Sequence, residues 1–153
     1  MFKIVLLSVM LLQLASTLRI ATTCSLSSGL DPNVEGEFGD SDVKEMHGSR
    51  AIVYLKADHK LPLLVLAYHP QCPHCQALIK PYKRFAEKVG DEDKPKVKVV
   101  AINMSKTDPG ALKVTGFPTV RLYRDGDYKN YELVAGKDVD FGDFLAEHGI
   151  DIE

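Results

Sequence analysis

A strand pattern leads directly into a helix pattern in the middle of the 153-residue chain. Residues Leu61–Tyr68 are nearly all apolar, which predicts a central strand buried on both faces of its sheet. From Cys72 onward, apolar side chains recur at spacings of four, three and four residues, which predicts a helix that Gly90 ends. The residues of this apolar stripe are Leu78, Tyr82, Phe85 and Val89. A buried strand joined to a helix indicates a protein of the α/β class.

The other patterned segments predict a mixed sheet. Residues Arg50–His59 fit a short helix, although their β-branched residues would also suit a strand. The first crossover should join two parallel strands, and the hairpin turn at Asp125-Gly126 should join two antiparallel strands. We therefore expect a central mixed β-sheet flanked by helices. The remaining predicted elements are a strand at Lys96–Asn103, a short helix from Asp108 to Val114, strands at Thr119–Arg124 and Tyr128–Val134, and a last helix capped by Asp138 or Asp140 and ended by Gly149.

The first 23 residues have the organisation of a secretory signal peptide. Lys3 precedes an apolar run that ends near Ala15, and small polar residues suited to cleavage follow. The run is too short to span a bilayer, which takes about 20 apolar residues. A buried helix of the folded core is the alternative. Cleavage falls between Ala15 and Ser25, so the fate of Cys24 stays open.

Residues 24–48 are rich in Ser, Gly, Asp and Glu, which predicts a flexible leader before a folded domain at 49–153. No second long apolar run follows the signal segment, so we expect no membrane association of the mature chain. The net charge of -2 lacks the basic excess that nucleic-acid binding requires. Export to an oxidising compartment would allow disulfides to form.

The motif Cys72-Pro73-His74-Cys75 lies where the predicted strand meets the predicted helix. At a helix N-terminus, unpaired N–H groups and the helix dipole favour an anion, which lowers the pKa of a thiol below its usual value of about 8.5. This predicts that Cys72 is the nucleophile and that Cys75, one turn further in, is the resolving thiol. His74 adds a polar or cationic neighbour, which further favours the Cys72 thiolate and makes the disulfide a stronger oxidant.

Two other interpretations of the motif are open at this point. Cys72 and Cys75 could form half of a zinc site with His69 and His74, but structural zinc takes four ligands, usually from two separated pairs. The three cysteines of the chain supply no second pair. A purely structural Cys72–Cys75 disulfide is the other alternative, against which the strand and helix context argues. We therefore expect no metal, and no cofactor beyond a redox-active disulfide.

Three segments resemble a thioredoxin-fold domain of the protein disulfide isomerase type. Residues 63–75, LLVLAYHPQCPHC, resemble its active-site strand and turn, and residues 116–120, GFPTV, resemble its proline loop. Residues 123–126 with 135–137 resemble its C-terminal hairpin and the start of its last helix. The resemblance covers about Ser49 to His148 and implies the thioredoxin fold. The dipeptide Pro73-His74 is the one found in bacterial periplasmic disulfide oxidants.

The resemblance also implies roles for individual residues. Pro118 should follow a cis peptide bond and pack against the two sulfurs, leaving the backbone of Phe117 to pair with a substrate strand. An ordinary proline at the start of a strand is the alternative. The implied catalytic residues are Cys72, Cys75, His74 and Pro73, and the implied substrate-binding residues are Phe117, Pro118, Thr119, His69 and Pro70.

The chain departs from the family at three positions. The family has a buried Asp or Glu six residues before the first Cys, as proton acceptor for the resolving thiol, where this chain has Leu66. Trp is usual immediately before the first Cys, where this chain has Gln71. An Arg of the last loop, which helps the resolving thiol to ionise, is represented by Lys137. These departures concern proton transfer at Cys75 and leave the redox pair in place.

The sequence therefore predicts an exported enzyme that makes, breaks or reshuffles disulfides. Its partners would be cysteine-containing secretory proteins and a recycling thiol oxidase or reductase, and it would act as a monomer. Residues 149–153 are not a KDEL-type retrieval signal, so the endoplasmic reticulum lumen and secretion are both open. A chaperone or substrate-binding module with weak redox chemistry is one alternative. A reductant of the thioredoxin sort is another, which the signal segment disfavours.

Overall fold

Five strands and three helices make up the part of the chain that the computed structural model describes, residues 36–125, 127–131 and 139–152. None of the helices in these ranges is long and apolar enough to cross a bilayer. The strands are β1 (Lys44–His47), β2 (Leu63–Tyr68), β3 (Lys98–Asn103), β4 (Thr119–Arg124) and β5 (Asp127–Tyr131). The helices are α1 (Gly48–Lys56), α2 (Pro73–Gly90) and α3 (Phe141–Glu147), with 3-10 turns at Met104–Lys106 and Gly110–Leu112.

The strands form one mixed sheet in the order β1-β3-β2-β4-β5. β1 and β2 both pair in parallel with β3, whereas β4 pairs antiparallel with both β2 and β5. Parallel pairing of β2 with β3 requires a crossover connection, which α2 provides. The tight turn between β4 and β5 places Asp125 at a φ of 53°. The predicted mixed sheet with flanking helices is confirmed.

Strand β2 is buried along its whole length, as its apolar sequence predicts. Side chains on one face, including Leu66 and Tyr68, pack in a core with α2 and α3. Side chains on the other face, including Val65 and Ala67, pack in a second core with α1. Burial of each large aliphatic side chain contributes about 1.5–3 kcal/mol, so the strand is a stable base for the turn that follows it.

The folded domain begins upstream of residue 49, so the predicted boundary is wrong. Strand β1 pairs with β3 from Lys44↔Val100 to His47↔Asn103. Upstream of it, the Phe38 side chain is 1% exposed and packs edge-on against Tyr68. The prediction failed because β1 has the sequence KEMH, in which Met46 is the one apolar residue, so the strand has no apolar pattern. Residues 24–35 of the predicted leader, and the signal segment with Cys24, lie outside the described residues.

Among the remaining elements, α1 and α3 form where the sequence predicts helices, whereas the short helix after Asp108 does not form in full. The ambiguous segment after Ser49 is a helix, α1. The short helix predicted after Asp108 is reduced to one 3-10 turn, and the Asp108 carboxylate accepts a hydrogen bond from the N–H of Gly110 at 3.0 Å. Asp140 is the residue that caps α3, and Gly149, with a φ of 75°, follows the end of that helix. The predicted continuation of β5 to Val134 falls outside the described residues.

Candidate active site

The backbone turns sharply between the end of β2 and the start of α2. The N–H of Cys72 donates a hydrogen bond to the carbonyl oxygen of His69 at 3.0 Å, which closes the turn. Cys72 is the N-cap residue of α2, and Pro73 occupies the first helical position. Proline suits this position because its missing N–H would have no partner inside the helix. The turn therefore presents the Cys72 sulfur at the N-terminus of an 18-residue helix.

The Cys72 sulfur is surrounded by hydrogen-bond donors. The backbone N–H of Cys75 is the largest cause that lowers the pKa of Cys72, followed by the Cys75 thiol and the backbone N–H of His74. Partial burial opposes these donors by raising the pKa. His74 thus contributes through its main chain, while its side chain is exposed. The lowered pKa of Cys72 agrees in direction with the prediction, and the N–H groups of Cys75 and His74 are the backbone donors involved.

The second sulfur lies in the opposite environment. Cys75 is fully buried, and burial raises the pKa of its thiol to about 11. The neighbouring Cys72 raises it further, whereas the N–H of His69, which donates to the Cys75 Sγ at 3.5 Å, lowers it. Both cysteines are free thiols in this structure. The site therefore holds a partly exposed thiol with a lowered pKa beside a buried thiol with a raised pKa.

The loop before β4 lies against the Cys72 sulfur. The Cys72 thiol donates a hydrogen bond to the carbonyl oxygen of Phe117 at 3.8 Å. The Phe117–Pro118 peptide bond is cis, as expected from the resemblance. The Thr119 hydroxyl donates to the carbonyl oxygen of Gly116 at 2.7 Å, which closes the loop on itself. The Phe117 ring lies 6.0 Å from the His69 ring, measured between centroids.

The structure brings most of the predicted site residues together at this end of the sheet. His69 and Pro70 are half-buried in the turn, and Pro73 and His74 are exposed at the start of α2. The Gln76 side chain stabilises the turn by donating to the carbonyl oxygen of Pro70 at 3.0 Å. Lys137 lies outside the described residues.

Leu66 lies two residues before Tyr68 on β2, on the same face of the sheet, and is fully buried. It pairs across the sheet with Ala101 of β3, and Ala101 pairs in turn with Glu45 of β1. The three residues form one cross-strand row, so a carboxylate is present in the row but two strands away from the position at which the resemblance expects it. The apolar side chain at 66 therefore supplies no ionisable group to the core that contains Cys75.

A hydrogen-bonded pair of polar side chains, Glu45 and Tyr68, lies beside the turn. The Glu45 carboxylate accepts hydrogen bonds from the Tyr68 hydroxyl and from the N–H of Phe38. Burial, followed by the Glu45 carboxylate, raises the pKa of Tyr68 well above its usual range. A cavity of about 390 Å³ opens here, lined by Gly36, Glu37, Tyr68, Pro70 and Asn103. No sequence signal identifies this feature, because Glu45 and Tyr68 meet only through strand pairing across 23 positions.

Within the ranges that the structure describes, no three His, Cys, Asp or Glu side chains are grouped closely enough to hold a metal ion. The chemistry that the arrangement offers is that of a dithiol. A mixed sheet of this order, with two cysteines at the start of the helix that follows its central strand, defines the class of thioredoxin-fold domains. The family model for thioredoxin matches residues 51–146. The chain therefore belongs to the thioredoxin family.

The curated relatives are protein disulfide isomerases. The protein disulfide-isomerase of Aspergillus niger is 30% identical over 130 residues, which are 78% of this chain and 23% of the relative. That of Drosophila melanogaster is 28% identical over 93 residues, which are 60% of this chain and 18% of the relative. The chain thus matches only about a fifth of the length of these relatives.

Solved structures are similar to this chain in fold. Full-length ERdj5 matches with a TM-score of 0.50 and 19% identity, over 61% of this chain and 14% of that one. The first thioredoxin domain of mouse protein disulfide-isomerase A4 matches with a TM-score of 0.49 and 21% identity, over 67% of this chain and 78% of that one. At 19% identity, the likeness to full-length ERdj5 concerns the fold alone.

Proposed function

We propose that the protein is an enzyme that exchanges disulfides with secretory proteins through Cys72 and Cys75. The observation that carries the proposal is the contrast between the two thiols. Hydrogen-bond donors lower the pKa of Cys72, and burial raises that of Cys75 to about 11. Because the thiolate is the nucleophile in disulfide exchange, the Cys72 sulfur is suited to attack the substrate first and the Cys75 sulfur to react in the second step.

In the reductive direction, the Cys72 thiolate attacks one sulfur of a substrate disulfide. A Cys72–substrate bond forms, the substrate S–S bond breaks, and the second substrate sulfur leaves as a thiolate that takes up a proton. Cys75 then loses its proton and attacks the Cys72 sulfur, which expels the first substrate sulfur. The substrate gains two electrons and the Cys72–Cys75 pair loses them. Oxidation of a substrate dithiol follows the same steps in reverse.

The loop that contains Phe117 is the proposed binding surface for the substrate backbone. Its carbonyl oxygen is 3.8 Å from the attacking sulfur, so an extended segment that pairs with Phe117 would bring its own disulfide to Cys72. Pro118, Thr119, His69 and Pro70 complete the proposed rim. Proton transfer at Cys75 has no buried carboxylate at position 66, and water or Lys137 would serve instead.

The proposed setting is the lumen of the endoplasmic reticulum or the extracellular space. The support is the signal-peptide pattern of residues 1–23 and the similarity to protein disulfide isomerases. Proposed partners are cysteine-containing secretory proteins and a thiol oxidase or reductase that recycles the pair. The chain would act as a monomer and use no metal or added cofactor.

The proposal is tested by reduction of insulin with dithiothreitol as the electron donor. Wild-type protein should accelerate the reaction, Cys72→Ser should abolish the acceleration, and Cys75→Ser should accumulate a mixed disulfide through Cys72. The proposal would be refuted if the wild-type protein were inactive in this reaction and also inactive in the oxidative refolding of a reduced substrate.

A substrate-binding module with weak redox chemistry is the second candidate. The observation that favours it is the fully buried Leu66 at the position where the resemblance expects a proton acceptor. The Cys72→Ser variant separates the candidates. A binding module would still suppress the aggregation of an unfolded protein in this variant, whereas an exchange enzyme would lose its disulfide-exchange activity.

A further inference from the structure

The imidazole of His69 contacts both halves of the candidate active site. Its Nδ1 atom accepts a hydrogen bond from the backbone N–H of Gln71 at 3.3 Å, within the turn that leads to Cys72. Its ring lies 6.0 Å from the Phe117 ring between centroids, with an angle of 42° between the planes. Phe117 carries the carbonyl oxygen that lies 3.8 Å from the Cys72 sulfur. One side chain thus links the turn and the loop.

The backbone of His69 is engaged independently of its side chain. The carbonyl oxygen accepts the N–H of Cys72 at 3.0 Å, and the N–H donates to the Cys75 sulfur at 3.5 Å. Any residue other than proline could make these two hydrogen bonds. Histidine adds a hydrogen-bond acceptor and a flat ring on the same short side chain.

The sheet itself does not hold the turn and the loop together. The ladder between β2 and β4 ends at the pair Ala67↔Thr119. Both functional segments lie beyond that last pair, since the turn follows β2 and Phe117 precedes β4. The contact between His69 and Phe117 continues the connection past the end of the ladder.

We propose that His69 is a positioning residue that braces the Cys72 turn against the Phe117 loop. The brace keeps the attacking sulfur and the Phe117 backbone in register, so that both meet the same substrate segment. The inference rests on the proposed function and assigns to His69 a role beyond lining the rim. It predicts that His69 matters for large substrates, which need the turn and the loop, and not for small reagents, which need only the thiolate.

A backbone N–H can only donate, so the hydrogen bond from Gln71 identifies Nδ1 of His69 as an acceptor. The acceptor atom faces the turn and the ring faces Phe117, so the two contacts of this side chain can be removed one at a time.

Three substitutions separate the two contacts. His69→Asn keeps an acceptor, because an Asn side chain can bond the backbone N–H two residues further along. His69→Phe keeps the ring but loses the acceptor, and His69→Ala loses both. In His69→Ala we expect exchange with a peptide disulfide to slow about two- to tenfold, the size of one lost hydrogen bond. Its alkylation at Cys72 by iodoacetamide should stay within about twofold of wild type, and the Asn and Phe variants should exchange at intermediate rates.

The inference is overturned if His69→Ala exchanges with the peptide disulfide at the wild-type rate. It is also overturned if the substitution slows disulfide exchange and alkylation by iodoacetamide by the same factor. In a Phe117→Ala background, His69→Ala should slow exchange less than it does in wild type, because the brace has already lost one end. Full additivity of the two substitutions contradicts the brace. A wild-type protein that reacts with iodoacetamide but with no peptide disulfide refutes the proposed function, and the inference with it.

Discussion

The sulfur of Cys72 lies 3.8 Å from the carbonyl oxygen of Phe117, 45 positions further along the chain. The Cys72 thiol can donate to that oxygen only while it carries its proton. Ionisation of Cys72 therefore breaks the contact and frees the Phe117 carbonyl to accept an N–H from another chain. The nucleophile and a backbone acceptor become available in the same step.

Selective alkylation tests the assignment of the two thiols. In reduced protein at pH 7.5, iodoacetamide should label Cys72 first, because donors lower its pKa whereas that of Cys75 is raised to about 11. At that pH a thiol with a pKa of 11 is thiolate in only roughly 0.03% of molecules. Peptide mapping by mass spectrometry identifies the labelled residue. Preferential labelling of Cys75 would reverse the assignment.

Replacement of His74 separates its side chain from its backbone. His74→Ala removes the imidazole and keeps the N–H, whereas His74→Pro removes both. Since the His74 N–H is one of the donors that lower the pKa of Cys72, we expect the pKa to rise further in His74→Pro than in His74→Ala. The ultraviolet absorbance of the thiolate, followed against pH, gives both values. Equal values would show that the backbone donor has no influence.

Introduction of an acid at position 66 tests whether proton transfer limits the reaction. Leu66 is fully buried in the core that contains Cys75, so Leu66→Glu places a carboxyl in that core. A well-placed base accelerates proton transfer by about 10²- to 10⁴-fold, so the resolving step by Cys75 should be faster. Leu66→Gln, of the same size but without a titrating proton, should leave the rate unchanged. Single-turnover insulin reduction measures the step, and an unchanged rate in Leu66→Glu would show that proton transfer is not limiting.

The same substitution predicts a pH-dependent loss of stability. Burial favours the neutral form of the new carboxyl, so its pKa in the folded state should exceed the unfolded value of about 4.3. Folding then favours the bound proton, and the stability of Leu66→Glu relative to Leu66→Gln should be greatest below about pH 4.3 and fall as the pH rises through the folded pKa. Denaturant midpoints of the two variants across this range measure the effect, and parallel curves would contradict it.

The hydroxyl of Tyr82 ties α2 to the sheet. It is fully buried and lies 2.8 Å from the carbonyl oxygen of Leu64 and 3.0 Å from that of Val100. Tyr82→Phe should lower the free energy of unfolding by about 0.5–1.5 kcal/mol, because a buried hydrogen bond is lost. Tyr123→Phe, at a half-buried strand position, is the matched control and should change stability less. Urea denaturation measures both, and equal effects would contradict the prediction.

The elements that the sequence predicts well are those whose patterns are local. The apolar run of β2, the helical stripe of α2 and the exact limits of β4 all follow from neighbouring residues. Strand β1 could not be found in this way, because its charged residues form a strand only through pairing with β3. The position of Phe38 in the core depends on that pairing as well.

In the candidate site, too, the features predicted from the sequence are those that depend on neighbouring residues. The Cys72 and Cys75 motif is legible in the sequence, and the proximity of Phe117 follows from resemblance. The sequence predicted that backbone N–H groups lower the pKa of Cys72, but not that the donors are those of Cys75 and His74, since every residue except proline has an N–H. The hydrogen bond of Glu45 with Tyr68 was missed because two strands must pair with β3 before these side chains can meet.

The upstream segment of the domain decides how the protein can be produced for experiments. A polypeptide started at residue 49 would lack β1 and Phe38, which pack against β3 and Tyr68. The backbone N–H and C=O groups of β3 would then form a bare sheet edge, the kind of surface through which strands of separate molecules associate. Aggregation of such a shortened polypeptide would reflect the lost edge strand, and its low activity would carry no information about Cys72. Preparations that start ahead of Phe38 keep the edge covered.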